Sequence, residues 1–123
     1  MKKITVLFQG DSVTDCGRNN CGGEGFDNMG LGPGYPGMIA ARLACDRPDI
    51  EWNFINRGIS GNRIVDLYAR WKADCINLSP DILSILIGVN DTWHLCNCRI
   101  FFSSAAVLSD AVMAFSQVGL LPI

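Results

Sequence analysis

Apolar and polar residues follow a repeated order along this chain. Ile4-Thr5-Val6-Leu7-Phe8 is a short β-branched and aromatic run with no polar face, the pattern of a strand covered on both sides, and it ends in Gly10-Asp11-Ser12. Two later runs obey the same rule. Trp52, Phe54 and Ile55 lead into Asn56-Arg57-Gly58, and residues 82 to 87 lead into Gly88-Val89-Asn90-Asp91. Between the first two runs, residues 37 to 45 place Met38, Ile39 and Leu43 among alanines with apolar positions three to four apart, which predicts a helix that stops before Pro48. Between the second and third, Ile64, Leu67, Tyr68, Trp71 and Cys75 recur at helical spacing. This predicts one amphipathic helix with those five residues inward and Arg63, Asp66, Arg70 and Lys72 toward solvent. From Ser12 to Pro36, glycines and asparagines without a sustained period predict a long loop.

Strand, helix, strand, helix, strand implies right-handed crossovers and an α/β fold. The expected architecture is three layers, a parallel sheet with flanking helices, and ligands bind such sheets beyond the carboxyl ends of the strands. The polar clusters at residues 10–12, 56–62 and 88–91 all follow strand ends, so they are expected to meet on one rim.

Composition narrows the functional classes. The 123 residues, 49% hydrophobic and 18% charged, suit one modest domain. A formal net charge of −2 leaves no basic surplus to neutralise phosphates, which argues against nucleic acid as a partner. Six cysteines (16, 21, 45, 75, 96 and 98) would suit a disulfide framework in an exported chain. However, the apolar run after Lys2 and Lys3 is shorter than the roughly 7–15 residues of a signal sequence, so a cytoplasmic chain with free thiols is expected.

Past Arg99 the character changes. Residues 100–123 hold a single charge, Asp110, whereas residues 1–99 hold the other twenty-one. The expected division is an N-terminal part over residues 1–95 and a low-charge tail over residues 96–123. A membrane span in the tail is disfavoured, because a carboxylate near its centre costs roughly 2.5–3.5 kcal/mol. His94 with Cys96-x-Cys98 lacks the spacing of a zinc knuckle, and no phosphate-cradling glycine motif follows a strand, so neither a metal nor a nucleotide cofactor is expected.

The rim clusters carry the candidate chemistry. A serine directly after a buried strand, in a Gly-Asp-Ser turn, can face a cleft with its hydroxyl while its backbone N–H points at developing negative charge. Taken alone, Asp11 or Ser12 in such a turn reads equally as a helix cap. Gly58 after the second strand offers a backbone donor, and Asn90 after the third offers a side-chain NH2. Three donors aimed at one point make an oxyanion hole.

The blocks Phe8-Gln9-Gly10-Asp11-Ser12-Val13-Thr14, Asn56-Arg57-Gly58-Ile59-Ser60-Gly61-Asn62 and Ile87-Gly88-Val89-Asn90-Asp91-Thr92-Trp93 resemble, in this order, those of the SGNH hydrolase superfamily, the GDSL-type lipases and esterases. The resemblance runs from about Ile4 to His94. It implies a flavodoxin-like SGNH fold, truncated here after the third strand, and a serine ester hydrolase acting through an acyl-enzyme on Ser12. It further implies the Ser12 and Gly58 N–H groups and the Asn90 side chain as oxyanion donors, with Asp91 ordering its turn. The implied substrate is a small-molecule ester, an acetylated carbohydrate or a lipid ester. A small-acyl or carbohydrate ester is preferred because the loop from Cys16 to Pro36 has few large apolar residues to line an acyl-chain groove.

The family's fourth block, an Asp-x-x-His that supplies the general base, has no counterpart: residues 95–123 contain no histidine, and the resemblance does not place the base at His94. The expectation is an impaired enzyme, since a triad enzyme lacking one member retains only a residual roughly 10³–10⁴-fold acceleration over water. The alternative is a non-catalytic binding module or inactive remnant that keeps the cleft and its donors. A shift of reading frame accounts for both the loss of charge and the missing block, and an Asp-x-x-His in another frame of the downstream nucleotides is its test. Three strands also leave an apolar edge, so the chain is expected to aggregate readily.

Overall fold

The computed structural model of the chain describes residues 1–96. Residues 97–123, and with them the tail with Asp110 and Cys98, lie outside the described residues. Three parallel strands form one sheet in the order β2-β1-β3, with β1 (Lys2–Gly10) central, β2 (Ile50–Asn56) on one side and β3 (Ile82–Leu86) on the other. Residues 2–8 pair with residues 50–56, and residues 6–10 pair with residues 82–86. β2 thus runs along most of β1 from its start and β3 along its carboxyl-terminal half, and the three parallel strand ends open onto one rim.

Successive side chains of β1 enter different layers, which is why the run has no polar face. Leu7 packs with Ile55, Ile64, Leu67, Trp71 and Cys75. Val6 and Phe8 pack on the opposite face with Phe54, Leu31 and Ala40. The second layer is held by α2 (Tyr35–Asp46) and by the loop before it, where Leu31 is buried, Phe8 meets Tyr35 edge-on at 6.0 Å and Phe26 meets Phe54 at 5.8 Å. The loop itself contains the short helix α1 (Ser12–Asp15) and a 3-10 turn at Asp27–Met29.

The stretch after β2 departs from the single amphipathic helix read from spacing. It breaks at Arg70 into α3 (Ile64–Ala69) and α4 (Trp71–Asp74), followed by a 3-10 turn at Ile76–Leu78. Ile64, Leu67, Trp71 and Cys75 do enter the core, but Tyr68 is 70% exposed. Arg70, expected in solvent, turns inward instead, because its backbone (φ −102°, ψ 9°) leaves the helical path and swings the side chain toward the rim. After β3, α5 (Val89–Cys96) begins within three residues. Ile82 and Leu86, at the ends of β3, remain about half exposed.

Candidate active site

The first rim segment places Ser12. Asp11, 1% exposed, is the N-cap of α1: its carboxylate accepts the Val13 N–H at 3.0 Å, and its carbonyl accepts the N–H groups of Thr14 and Asp15 at 3.1 and 2.8 Å. Capping by Asp11 and exposure of Ser12 are thus two results of one turn. Ser12 opens the helix on the exposed side, and its own N–H belongs to the first turn, which no helical carbonyl reaches. The turn needs glycine at position 10. A Cβ there would stand 2.3 Å from the Leu86 carbonyl oxygen and 2.3 Å from Thr14 Oγ1.

The second rim segment is organised by Asn56, a residue whose role the sequence did not disclose. Its side chain is buried and donates to the carbonyls of Thr14 and Leu31 at 2.8 and 3.0 Å, while its Oδ1 accepts the Gly58 N–H at 2.9 Å. This corrects the expectation for Gly58. Its amide is already committed to Asn56, the residue is buried, and a Cβ there would lie 2.4 Å from the Asp15 nitrogen. Gly58 is glycine because the loop passes directly beneath α1. Farther along, Asp15 accepts the Ser60 hydroxyl at 2.6 Å and the Ser60 N–H at 3.1 Å, which draws the loop to α1. Gly61 follows, exposed, with φ +85° and open space where a Cβ would stand.

The third segment places Asn90 and Asp91 on the first turn of α5. Asn90 Nδ2 donates to the Asn62 carbonyl at 2.9 Å, so one of its two amide hydrogens is engaged with the second rim segment. Asp91 accepts the Ile64 N–H through both oxygens, at 3.2 and 3.1 Å, and so holds the start of α3. His94 lies exposed in the last turn of α5.

Arg70 joins the segments. Nε donates to Asn62 Oδ1 at 2.8 Å. One terminal nitrogen donates to Gln9 Oε1 at 2.9 Å, the Arg57 carbonyl at 2.8 Å and Asp74 at 3.1 Å, and the other reaches the Gly10 carbonyl at 3.3 Å. Gln9, fully buried, completes the knot by donating to the Asp74 carbonyl. Arg18 supports the same loop by donating to the Gly58 carbonyl at 2.9 Å, and burial lowers its pKa from the usual guanidinium value while nearby Asp15 opposes that shift.

An apolar groove of about 410 Å³ lies between the glycine-rich loop and α2, with Phe26, Met29, Leu31, Pro33 and Met38 in its walls. The loop's few large apolar residues are thus gathered in one place rather than scattered. Cys16, Cys21, Cys45 and Cys75 are free thiols. Among the described residues no helix is long and apolar enough to cross a membrane, and no group of three or more His, Cys, Asp or Glu side chains could hold a metal ion.

Comparison with known proteins places the fold among relatives. The model of the GDSL-like Lipase/Acylhydrolase family matches residues 8–113. An acetylxylan esterase from Geobacillus stearothermophilus is 47% identical over 89 residues, which cover 72% of this chain and 40% of that protein. Among solved structures, a GDSL-like lipase from Parabacteroides merdae superposes with a TM-score of 0.82 at 36% identity, covering 98% of this chain and 56% of that one. The Geobacillus acetylxylan esterase structure superposes with a TM-score of 0.70 at 41% identity, covering 82% and 46% of the respective chains. The chain thus spans about half the length, or less, of the relatives it matches.

Proposed function

The chain belongs to the GDSL-like lipase/acylhydrolase family, and on that premise we propose that it carries the nucleophile and oxyanion-binding part of a serine carboxylic-ester hydrolase. The observation that carries the reading is the placement of Ser12 and Asn90 just past the ends of β1 and β3, adjacent strands in register from Val6 and Ile82 to Gly10 and Leu86. In this reading Ser12 Oγ bonds to the acyl carbon as its proton passes to water, the oxygen that becomes negative is received by the Ser12 N–H and the remaining amide hydrogen of Asn90, and the alcohol departs as the acyl-enzyme forms. Gly58 is not proposed as a donor, because its N–H is held by Asn56. The exposed Gly61 of the same loop takes that place. His94 is not assigned the role of general base.

The proposed substrate is a small-molecule ester, with an acetyl group on a carbohydrate preferred. Similarity to an acetylxylan esterase supports that class. Cytoplasmic residence is proposed with it, in keeping with the free thiols of Cys16, Cys21, Cys45 and Cys75 among the described residues.

The test compares the 123-residue chain with its Ser12→Ala variant in two assays: fluorophosphonate labelling and turnover of p-nitrophenyl acetate beside p-nitrophenyl octanoate. With no general base assigned, slow labelling confined to Ser12 and a weak turnover that favours acetate over octanoate and is lost in the variant are the expected result. Equal turnover by the two chains, with no labelled serine, overturns the reading and leaves a binding module. Faster octanoate hydrolysis keeps the hydrolase but assigns the apolar groove to a long acyl chain.

A further inference from the structure

Every bond of the Arg70 guanidinium goes to a rim segment or to the residues that hold it there. The first segment supplies the Gly10 carbonyl, two residues before Ser12, and the second supplies the Arg57 carbonyl and the Asn62 side chain. The third is reached at one remove. Asn62 takes Arg70 Nε on its side-chain oxygen and gives its backbone carbonyl to Asn90 Nδ2. Asn62 is therefore the link between the cation and the amide proposed above as an oxyanion donor.

We propose that Arg70 is a positioning residue of the ester-hydrolase site: through Asn62 it sets the direction of the Asn90 side-chain amide and so fixes the oxyanion pocket. The inference rests on the function proposed above. Its charge is already balanced by Asp74 at 3.1 Å, so the contribution lies in geometry rather than in net charge. Geometry also explains the residue type. The planar guanidinium presents five N–H groups in a fixed fork, and here all three of its nitrogens donate, to five acceptors. A lysine ammonium has three donors at the end of a flexible stem and cannot hold acceptors on both sides of a plane. An amide with one hydrogen fixed by Asn62 keeps the other in a fixed direction. Such preorganised donors stabilise a developing oxyanion without reorganising during the reaction.

The test uses the full 123-residue chain with Arg70→Lys, which keeps the charge, and Asn62→Ala, which removes only the side-chain link and leaves the backbone carbonyl in place. The first readout is the Asn90 side-chain amide pair in ¹H–¹⁵N spectra, located by its disappearance in Asn90→Ala. In both variants that pair is expected to shift and to exchange with solvent about fivefold faster, the net effect of losing roughly one hydrogen bond, while backbone amides of β1 keep their protection. An unchanged Asn90 pair in Asn62→Ala overturns the proposal, even if Arg70→Lys fails to fold.

The second readout is fluorophosphonate reaction at Ser12. The maximal rate is expected to fall about tenfold in either variant with the half-saturating concentration unchanged, as for a misdirected group remote from the chemistry. Arg70→Lys is expected to have no further effect in an Asn90→Ala background, because it acts through that side chain. Additive losses overturn the proposal. Absence of any reaction in the unsubstituted chain overturns the hydrolase reading instead, and the amide spectra still decide the part played by Arg70.

Discussion

The Gly58 N–H points into the Asn56 side chain, whose Oδ1 accepts it at 2.9 Å within a site where Asn56 is only 1% exposed. Two carbonyls, of Thr14 and Leu31, occupy the other end of the same amide. Asn56→Ala would leave those three backbone groups buried without partners, so a loss of about 3–5 kcal/mol of stability is expected, measurable by urea denaturation. Asn56→Asp would keep an acceptor for Gly58 but set a carboxylate against two carbonyl oxygens. That variant should be destabilised at neutral pH and partly restored in mild acid.

Removing the candidate oxyanion donor should be kinetic rather than structural. Asn90→Ala is expected to lower the rate of any Ser12-dependent acyl transfer by roughly 10²–10³-fold, the range for loss of one such donor. A calorimetric scan beside the rate assay checks that the fold is retained. A matching loss of melting cooperativity would show that Asn90 serves the scaffold through Asn62 instead.

Acid should weaken the start of α3 through Asp66. Its carboxylate accepts the Arg63 N–H at 2.9 Å and Arg63 Nε at 3.2 Å, and these bonds, the backbone one foremost, hold its pKa below the ordinary carboxylate value. A group whose folded pKa is depressed stabilises the fold above its unfolded pKa, and that contribution is lost as pH falls from about 4 toward the folded value. Asp66→Asn should therefore flatten the fall in stability below about pH 4 while costing stability near neutrality. Denaturation midpoints across pH 2.5–7, on the order of the carboxylate range, provide the comparison.

Thiol reactivity should divide along burial. Cys16, Cys21 and Cys45 are exposed, whereas Cys75 sits in the core beside Trp71, and burial raises its pKa so that the thiolate is disfavoured. Brief iodoacetamide treatment followed by peptide mapping should modify the first three. Cys75 is expected to react only when urea is added, and equal labelling of all four in buffer would mean that the α3–α4 layer opens readily.

The strands were legible in the sequence because apolar runs on β1, β2 and β3 have no competing pattern, and the parallel order followed from their alternation with helices. The positions of Ser12 and Asn90 beyond strand ends were legible for the same reason, whereas their roles are proposed. Arg70 and Tyr68 were not legible. Helical spacing assumes a continuous axis, and the break at Arg70 turned a residue read as solvent-facing into the centre of the rim while Tyr68 stayed outside. Gly58 failed differently. Its residue type announces a backbone that something approaches closely, but whether that neighbour is a ligand or the chain itself depends on Asn56 and Asp15, which meet it only in the folded state.

Asn90 and Asp91 stand side by side on the first turn of α5, about 100° apart around its axis, and bite on the carbonyl of Asn62 and the amide of Ile64. One donates and the other accepts, like two unlike teeth of a key. Rolling the helix, or sliding it by a residue, would carry both side chains away from these partners. These bonds together favour one seating of α5, and the side chain proposed to meet the substrate is aligned beside one that serves only the scaffold.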